Sequence, residues 1–368
     1  MPSKEGLQRG VYLLFSVIAV LCIVRYLTER PPVAPKEPNP RFILTEYELK
    51  RYRCAKQAMT QKRLINSLRN IQEIAEQCGC ECTGGQQSVP KVVHFIKTDN
   101  DFLPMEWLSL LSAHKFIQPD KIIVHAAKGP IEGCWWNRSQ ALINETNYLP
   151  VNLVPEQVNT FNVTQPAHKA DFLRMIIVYE LGGIYMDTDA MLMKSFDPLF
   201  ALKKHVFSWC YKGFTLGKPT LGNGLLVVPK HSCFFCQYIR YAIKHFDGKQ
   251  WSLNHGSYLL AAMVINLPED MLTDVHVLKT DEGFFPQEDW DADGMFTKPQ
   301  DKHNYNFDRL YSIHFYHFAR EKPWVEYFSN YTYLTKGTPP IARSAQKVIP
   351  HSLRPEHFDN RYCVPLTY

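Results

Sequence analysis

The sequence predicts an α/β domain with a mostly parallel central sheet, preceded by a membrane anchor and a helical stem. Three observations predict it. From residue 89 onward, short β-branched runs alternate with helix-length segments, the pattern of a layered sheet-and-helix domain. A helix-patterned stretch, residues 168–181, is cut off by Gly182-Gly183 and runs straight into the apolar strand Ile184-Tyr185-Met186. Near the start, Val11 to Val24 is an apolar run broken by Ser16 alone.

That run, extended from Gly10 to Leu27 with Arg25 reaching for the headgroups, makes a short span suited to a thin bilayer. A cleaved signal peptide is the rival reading, but Arg25-Tyr26 and Glu29-Arg30-Pro31-Pro32 stand where small residues would precede a cleavage site. The expectation is therefore a tail of residues 1–9 and an uncleaved signal anchor over 10–27. Lys4 and Arg9 before it are balanced by Arg25 and Arg30 after it, so flanking charge does not set its orientation. The acceptor sequons at Asn137, Asn144, Asn162 and Asn330 all follow the anchor, as expected for a body on the luminal side. Ten cysteines point to the same oxidising compartment.

Residues 28–88 read as a stem. Its first part is proline-rich and extended, and its second is helical, with Leu64, Leu68, Ile71, Ala75 and Cys78 repeating at steps of four and three. This seam either packs on the body or joins two copies as a homodimer. The body itself is expected over 89–337, and residues 338–368 lose periodicity and read as a tail.

Within the body, Val92–Ile96 is a compact strand opened by Pro90, residues 105–116 have helical spacing, and residues 121–125 form a second buried strand. Later pieces follow suit: a strand over 224–228, helices over 232–244 and 256–266, and a closing strand over 311–315. A hydrophobic content of 45% with 13% aromatics is ample for a packed core and excludes general disorder. The net charge of +5 is spread along the chain without a dense basic run, which argues against a nucleic-acid partner.

The chemistry gathers in residues 168–189. Asp171 and Arg174 share a helix face, and Asp187-Thr188-Asp189 follows the strand. Period-two alternation puts both carboxylates on one side, at the carboxyl end of a strand, where open α/β sheets bind ligands. Paired carboxylates are hard oxygen donors suited to Mn²⁺ or Mg²⁺. A bare Asp-x-Asp is weak, and the sequence holds four such pairs. Asp99-Asn100-Asp101 reads as a turn. Asp289, Asp291 and Asp293 imitate a calcium loop but have Gln300 where its bidentate Glu belongs. Cys233 and Cys236 have redox or zinc spacing without a second ligand pair, and read as structural. Trp135-Trp136 is either a sugar platform or part of an exposed loop beside the Asn137 sequon.

Ala170-Asp171, Arg174, Gly182-Gly183-Ile184-Tyr185, Asp187 and Asp189 resemble, position by position, the DXD region of glycosyltransferase family 32. Weaker similarity covers much of the body. Pro90 to His94 resembles the family's opening strand, although Lys97 stands where many members have Trp. Ser312-Ile313-His314 resembles its closing strand. The resemblance implies a GT-A fold, retention of anomeric configuration and a type II Golgi topology. It implies Mn²⁺ (or Mg²⁺), a nucleotide-sugar donor (UDP-Gal or UDP-GlcNAc first) and a glycan or glycolipid acceptor. The implied catalytic residues are Asp187 and Asp189, with metal ligands Asp189, Asp187 and His314, and His317 in reserve. The implied donor-sugar contacts are Asp171, Arg174, Tyr185 and Asp187, and His94 and Phe95 are expected beside the nucleotide. Residues 254–257, Asn-His-Gly-Ser, stand where many relatives have Thr-Gly-Pro and leave the acceptor contacts unassigned.

Overall fold

The structure is a computed structural model that describes residues 88–149, 156–158, 160–210, 220–249, 256–267, 269, 272–284, 292–299, 307–316 and 324–358. The expected anchor, nearly all of the stem, Asn254, His255, Asp289, Asp291, Gln300 and His317 lie outside these. Among the described residues no helix is long and apolar enough to cross a membrane.

The chain begins with β1 (Val92–Lys97), α1 (Pro104–Ile117), β2 (Lys121–Ala126), α2 (Cys134–Ser139) and β3 (Glu145–Tyr148). A small hairpin of β4 (Gln157–Val158) and β5 (Phe161–Asn162) leads to α3 (Pro166–Leu181), β6 (Gly183–Met186) and β7 (Ala190–Leu192). Then come α4 (Asp197–Ala201), β8 (His205–Cys210), β9 (Thr220–Leu221), β10 (Leu225–Val228), α5 (Cys233–His245) and α6 (Ser257–Asn266). The last elements are β11 (Val275–Leu278), α7 (Ala292–Thr297), β12 (Ser312–His314), α8 (Trp324–Ser329), α9 (Tyr331–Lys336) and α10 (Pro340–Val348).

The central sheet has the order β11-β8-β10-β6-β1-β2-β3, with β9 attached to β8. β1 runs parallel to β2 and β6, β2 to β3, and β8 to β11. The α/β class and the mostly parallel sheet are as the alternation predicts. The exceptions are the short β9, antiparallel to β8, and β10, antiparallel to both neighbours. The reversal of β10 matters: Leu225, the first residue of β10, pairs with Met186, the last of β6, so the residues before β10 arrive beside those after β6.

Local chemistry explains the element ends. Pro104 and Pro166 begin α1 and α3, where a missing N–H costs nothing. In α1 the Glu106 carboxylate accepts from the Leu103 amide at 2.8 Å, and Gln118 closes the helix in the left-handed region. Gly182 ends α3 at φ 67°, and Gly183 follows at φ 102°. A Cβ on Gly183 would lie 2.4 Å from the Val92 carbonyl oxygen, so only glycine lets β6 start this close to β1.

Three expectations are corrected. Residues 338–358 are not a loose tail: α10 buries Ile341, Ala342, Ala345 and Val348 and packs on α1, while Phe358 meets Trp107 and Trp135 edge-on at 5.7 and 5.5 Å. Ile341 and Val348 each contribute on the order of 1.5–3 kcal/mol when buried, and each alanine methyl about 0.8 kcal/mol. The segment looked aperiodic because its apolar side chains are few and pack on α1 and α2. Trp135 and Trp136 are neither a platform nor a loop: both are 93% hidden, against Trp107 and Phe102 respectively. Arg138, stacked 4.3 Å from the Trp135 ring, is buried with them. Finally, His94 and Phe95 are interior. Phe95 belongs to the core, and His94 bonds His125 Nε2 through Nδ1 at 3.1 Å and the Gly182 carbonyl through Nε2 at 3.0 Å. His94 therefore pins the glycine pair, and neither side chain faces a nucleotide.

These histidines carry a pH prediction. Burial, opposed by the Gly182 hydrogen bond, pushes His94 down to about 4; burial and the neighbouring His94 push His125 down; burial alone takes His205 to about 3. Their folded pKa values lie below the unfolded one, so full stability holds above pH 6.5 and is lost as pH falls towards those values. The loss is about 1.4 kcal/mol per pH unit for each histidine that must stay neutral. The urea midpoint should drop between pH 6.5 and 5; a flat midpoint there contradicts the assignment.

Candidate metal and donor site

The site forms where β6 ends. Asp187 leaves the strand with its amide donating to the Gly224 carbonyl at 2.7 Å, and the chain turns at once, Ala190 N donating to Asp187 O at 3.1 Å. Strand β7 then pairs with β12, placing His314 opposite Ala190, and Phe315 N donates to the Asp189 carbonyl at 2.8 Å. This second, two-stranded sheet delivers His314 from 125 residues further along the chain.

His314 Nε2 sits 3.2 Å from Asp187 Oδ2 and 3.2 Å from Asp189 Oδ1. Among the described residues, Asp187, Asp189 and His314 offer three ligand atoms within 4.8 Å of one another. Two carboxylates and an imidazole are a donor set for a divalent cation. Space for it depends on Gly224: a Cβ there would lie 2.5 Å from Asp187 Oδ2 and 2.9 Å from His314 Nε2. Without a cation, burial pulls the His314 pKa down, but Asp189 and Asp187 outweigh it and lift it to about 9. Burial raises Asp187, yet Arg174, His314 and Tyr185 together hold its carboxyl below the usual range.

Asp171, Arg174 and Tyr185 gather behind Asp187. Arg174 Nη2 lies 3.4 Å from Asp187 Oδ1, Nη1 donates to the Asn223 carbonyl at 2.7 Å, and Nε lies 3.4 Å from Asp171 Oδ1. The guanidinium covers the Tyr185 ring at 4.7 Å, and the Tyr185 hydroxyl donates to Asp187 Oδ1. Asp171 and Tyr185 are 1% exposed and Arg174 7%, so Arg174 is the most open of the three.

Several residues escaped the sequence reading. Asn223 donates to Asp171 Oδ1 at 2.8 Å and accepts from Ser257 Oγ at 3.2 Å, tying α6 to α3. Gly224 was read only as the start of a strand. The Asn223-Gly224 pair before an apolar strand was the available signal, since it marks a tight turn. Tyr316, edge-on to His314 at 4.1 Å, left no pattern to find.

The class defined by this fold and site is an α/β protein with a candidate divalent-cation site on the carboxyl edge of its sheet. Residues 120–205 match the family model of the glycosyltransferase sugar-binding region containing DXD motif. It is similar to glucan organizing enzyme 1 of Cryptococcus neoformans var. grubii, 26% identical over 239 residues, covering 61% of this chain and 62% of that protein. It is also similar to inositol phosphoceramide mannosyltransferase 3 of Schizosaccharomyces pombe, 25% identical over 153 residues, covering 42% of this chain and 37% of the relative. The chain thus spans less than two thirds of either relative. The solved PaToxG glycosyltransferase overlaps 57% of this chain and 83% of its own at 15% identity with a TM-score of 0.36, an overlap too loose to bear on the fold or the function.

Proposed function

We propose that the chain is a retaining, metal-dependent glycosyltransferase of GT-A architecture. It moves a hexose or N-acetylhexosamine from a nucleotide sugar, a UDP-sugar first, to a glycan or glycolipid acceptor. The observation that carries this reading is the convergence of Asp187, Asp189 and His314 on one point, inside and beside the matched sugar-binding segment.

A divalent cation, Mn²⁺ or Mg²⁺, held by Asp189, Asp187 and His314 would offset the charge of a departing diphosphate. The chain's own residues do the rest. Tyr185 and Arg174 fix the Asp187 carboxylate, and His314 is held between both aspartates. Arg174, the most open of the group behind Asp187, is assigned to the donor hexose, with Asp171 and Asn223 setting its angle. Transfer on the front face of the sugar, with the leaving phosphate assisting the acceptor hydroxyl, needs no protein nucleophile, and none is assigned.

The reading extends to location. We assign residues 10–27 as a single-pass type II anchor, 28–88 as a stem able to pair with a second copy, and the body to the Golgi lumen. In support, Asn137, Asn144, Asn162 and Asn330 are all exposed, and Cys134 and Cys236 are disulfide-bonded, as an oxidising compartment allows.

The test is a panel of UDP- and GDP-sugars offered to the chain with Mn²⁺. One UDP-sugar, UDP-Gal or UDP-GlcNAc, is expected to be hydrolysed slowly or transferred. Turnover of GDP-mannose instead supports a second reading, a mannosyltransferase, favoured by the similarity to the S. pombe inositol phosphoceramide mannosyltransferase. No turnover, together with no metal-dependent heat on adding UDP or GDP, leaves a scaffold with a dead site.

A further inference from the structure

Lys97 occupies the end of β1, one strand from the Asp187 turn, and its side chain is buried to 1% exposure. Its Nζ lies 2.6 and 2.8 Å from the two Glu106 oxygens and 2.7 Å from Asp99 Oδ1. Glu106, 2% exposed, also accepts from Thr188 Oγ1 at 3.0 Å. Thr188 is the middle residue of Asp187-Thr188-Asp189. The buried pair therefore grips the metal turn directly.

The grip continues along one face of α1. Three residues after Glu106, Ser109 Oγ donates to the Asp187 carbonyl at 3.4 Å. After three more, Ser112 Oγ donates to Ser109 O at 2.7 Å and accepts from the Leu192 amide at 2.9 Å. Ser109 and Glu106 thus take hold of the first two residues of 187–192 and Ser112 of the last, and all three are buried. Apolar side chains would fill this helix–strand contact with no loss of stability, because desolvating an ion pair costs several kcal/mol and often only breaks even. What the polar set supplies instead is direction. A hydrogen bond to Thr188 fixes the rotation of the turn, and that rotation aims both flanking carboxylates at His314.

We infer that Glu106, held in place by Lys97, is a positioning residue that acts through Thr188 to keep Asp187 and Asp189 converged on the cation. The inference rests on the metal-site reading above. It gives Lys97, where relatives of the resembled family often carry Trp, a role in aiming the metal ligands.

The experiment uses the full chain and Mn²⁺ alone, with affinity read by calorimetry and folding by Tm. Thr188→Val keeps the shape and removes the donated hydrogen bond; it should weaken Mn²⁺ binding about tenfold, the worth of one bond to a charged group, with Tm little changed. Thr188→Ser restores the hydroxyl and should bind as the parent does. Glu106→Gln, which removes the ionic hold but keeps an oxygen, should also weaken binding, and it decides the matter if Thr188→Val does not fold. Parent-like affinity in Thr188→Val, or Thr188→Ser as weak as Thr188→Val, overturns the inference while the metal site stands. A parent chain that takes up no Mn²⁺ overturns the metal site itself.

Discussion

Asp189→Ala should abolish sugar-nucleotide turnover, lowering kcat/KM by about 10³-fold or more, while the protein stays folded. The reasoning separates the two aspartates. Asp187 has Arg174, Tyr185 and His314 around its carboxylate, so removing it leaves a buried guanidinium and a buried hydroxyl without their partner. Among the described residues Asp189 forms an ion pair with His314, and its side chain is 25% exposed. Its structural work is done by the backbone, whose carbonyl accepts from Phe315 N whatever the side chain. Truncation therefore deletes a proposed metal ligand and little else. Steady-state hydrolysis or transfer with Mn²⁺, beside a melting curve, reads both effects. Turnover within about threefold of the parent would remove Asp189 from the chemistry.

Gly224→Ala is the second large effect, and the less obvious one. The residue bears no functional group, and its place in the reaction is to be small. The added methyl carbon would fall 2.5 Å from Asp187 Oδ2 and 2.9 Å from His314 Nε2, closer than non-bonded atoms approach. No glycine-only backbone angle is needed there, so β10 can keep its course, with Leu225 still opposite Met186. The two side chains must move instead. Displacing ligands by about 1 Å costs on the order of 10²-fold in rate, and disturbed ligand support costs about 10- to 100-fold in metal affinity. The expected result is a folded protein with near-parental Tm, weak Mn²⁺ binding and activity down about 100-fold. Normal metal affinity in this variant would mean that the cation sits elsewhere.

Much of this was legible in the chain because the signals were local. A helix, two glycines, an apolar strand and two aspartates within 22 residues specify α3, β6 and the metal turn with no long-range information. Gly182 and Gly183 could be read as a stop because their backbone angles exclude other residues. Resemblance added His314, whose position in a short closing strand gave no chemical hint of its own. The same local method failed for His94 and Phe95. A strand's alternation says which residues share a face, and β1 is covered on both faces, so neither side chain is left for a ligand. It failed for Trp135 and Trp136 because an adjacent sequon marks the exposure of Asn137 alone.

The sequence by itself determined the α/β alternation, the place of the paired carboxylates at the end of a strand, and the match of residues 120–205 to a sugar-binding region. Only the tertiary structure decided that Gly224 must lack a side chain and that Lys97 and Glu106 brace Thr188. It also decided that residues 338–358 close over α1 and α2. The physical reason is the range of the forces involved. Backbone geometry and side-chain periodicity act within a few residues and leave their mark on the string. Excluded volume and buried hydrogen bonds act between groups that are distant along the chain, and they take effect only when β10 turns antiparallel beside β6 and α1 settles against β7.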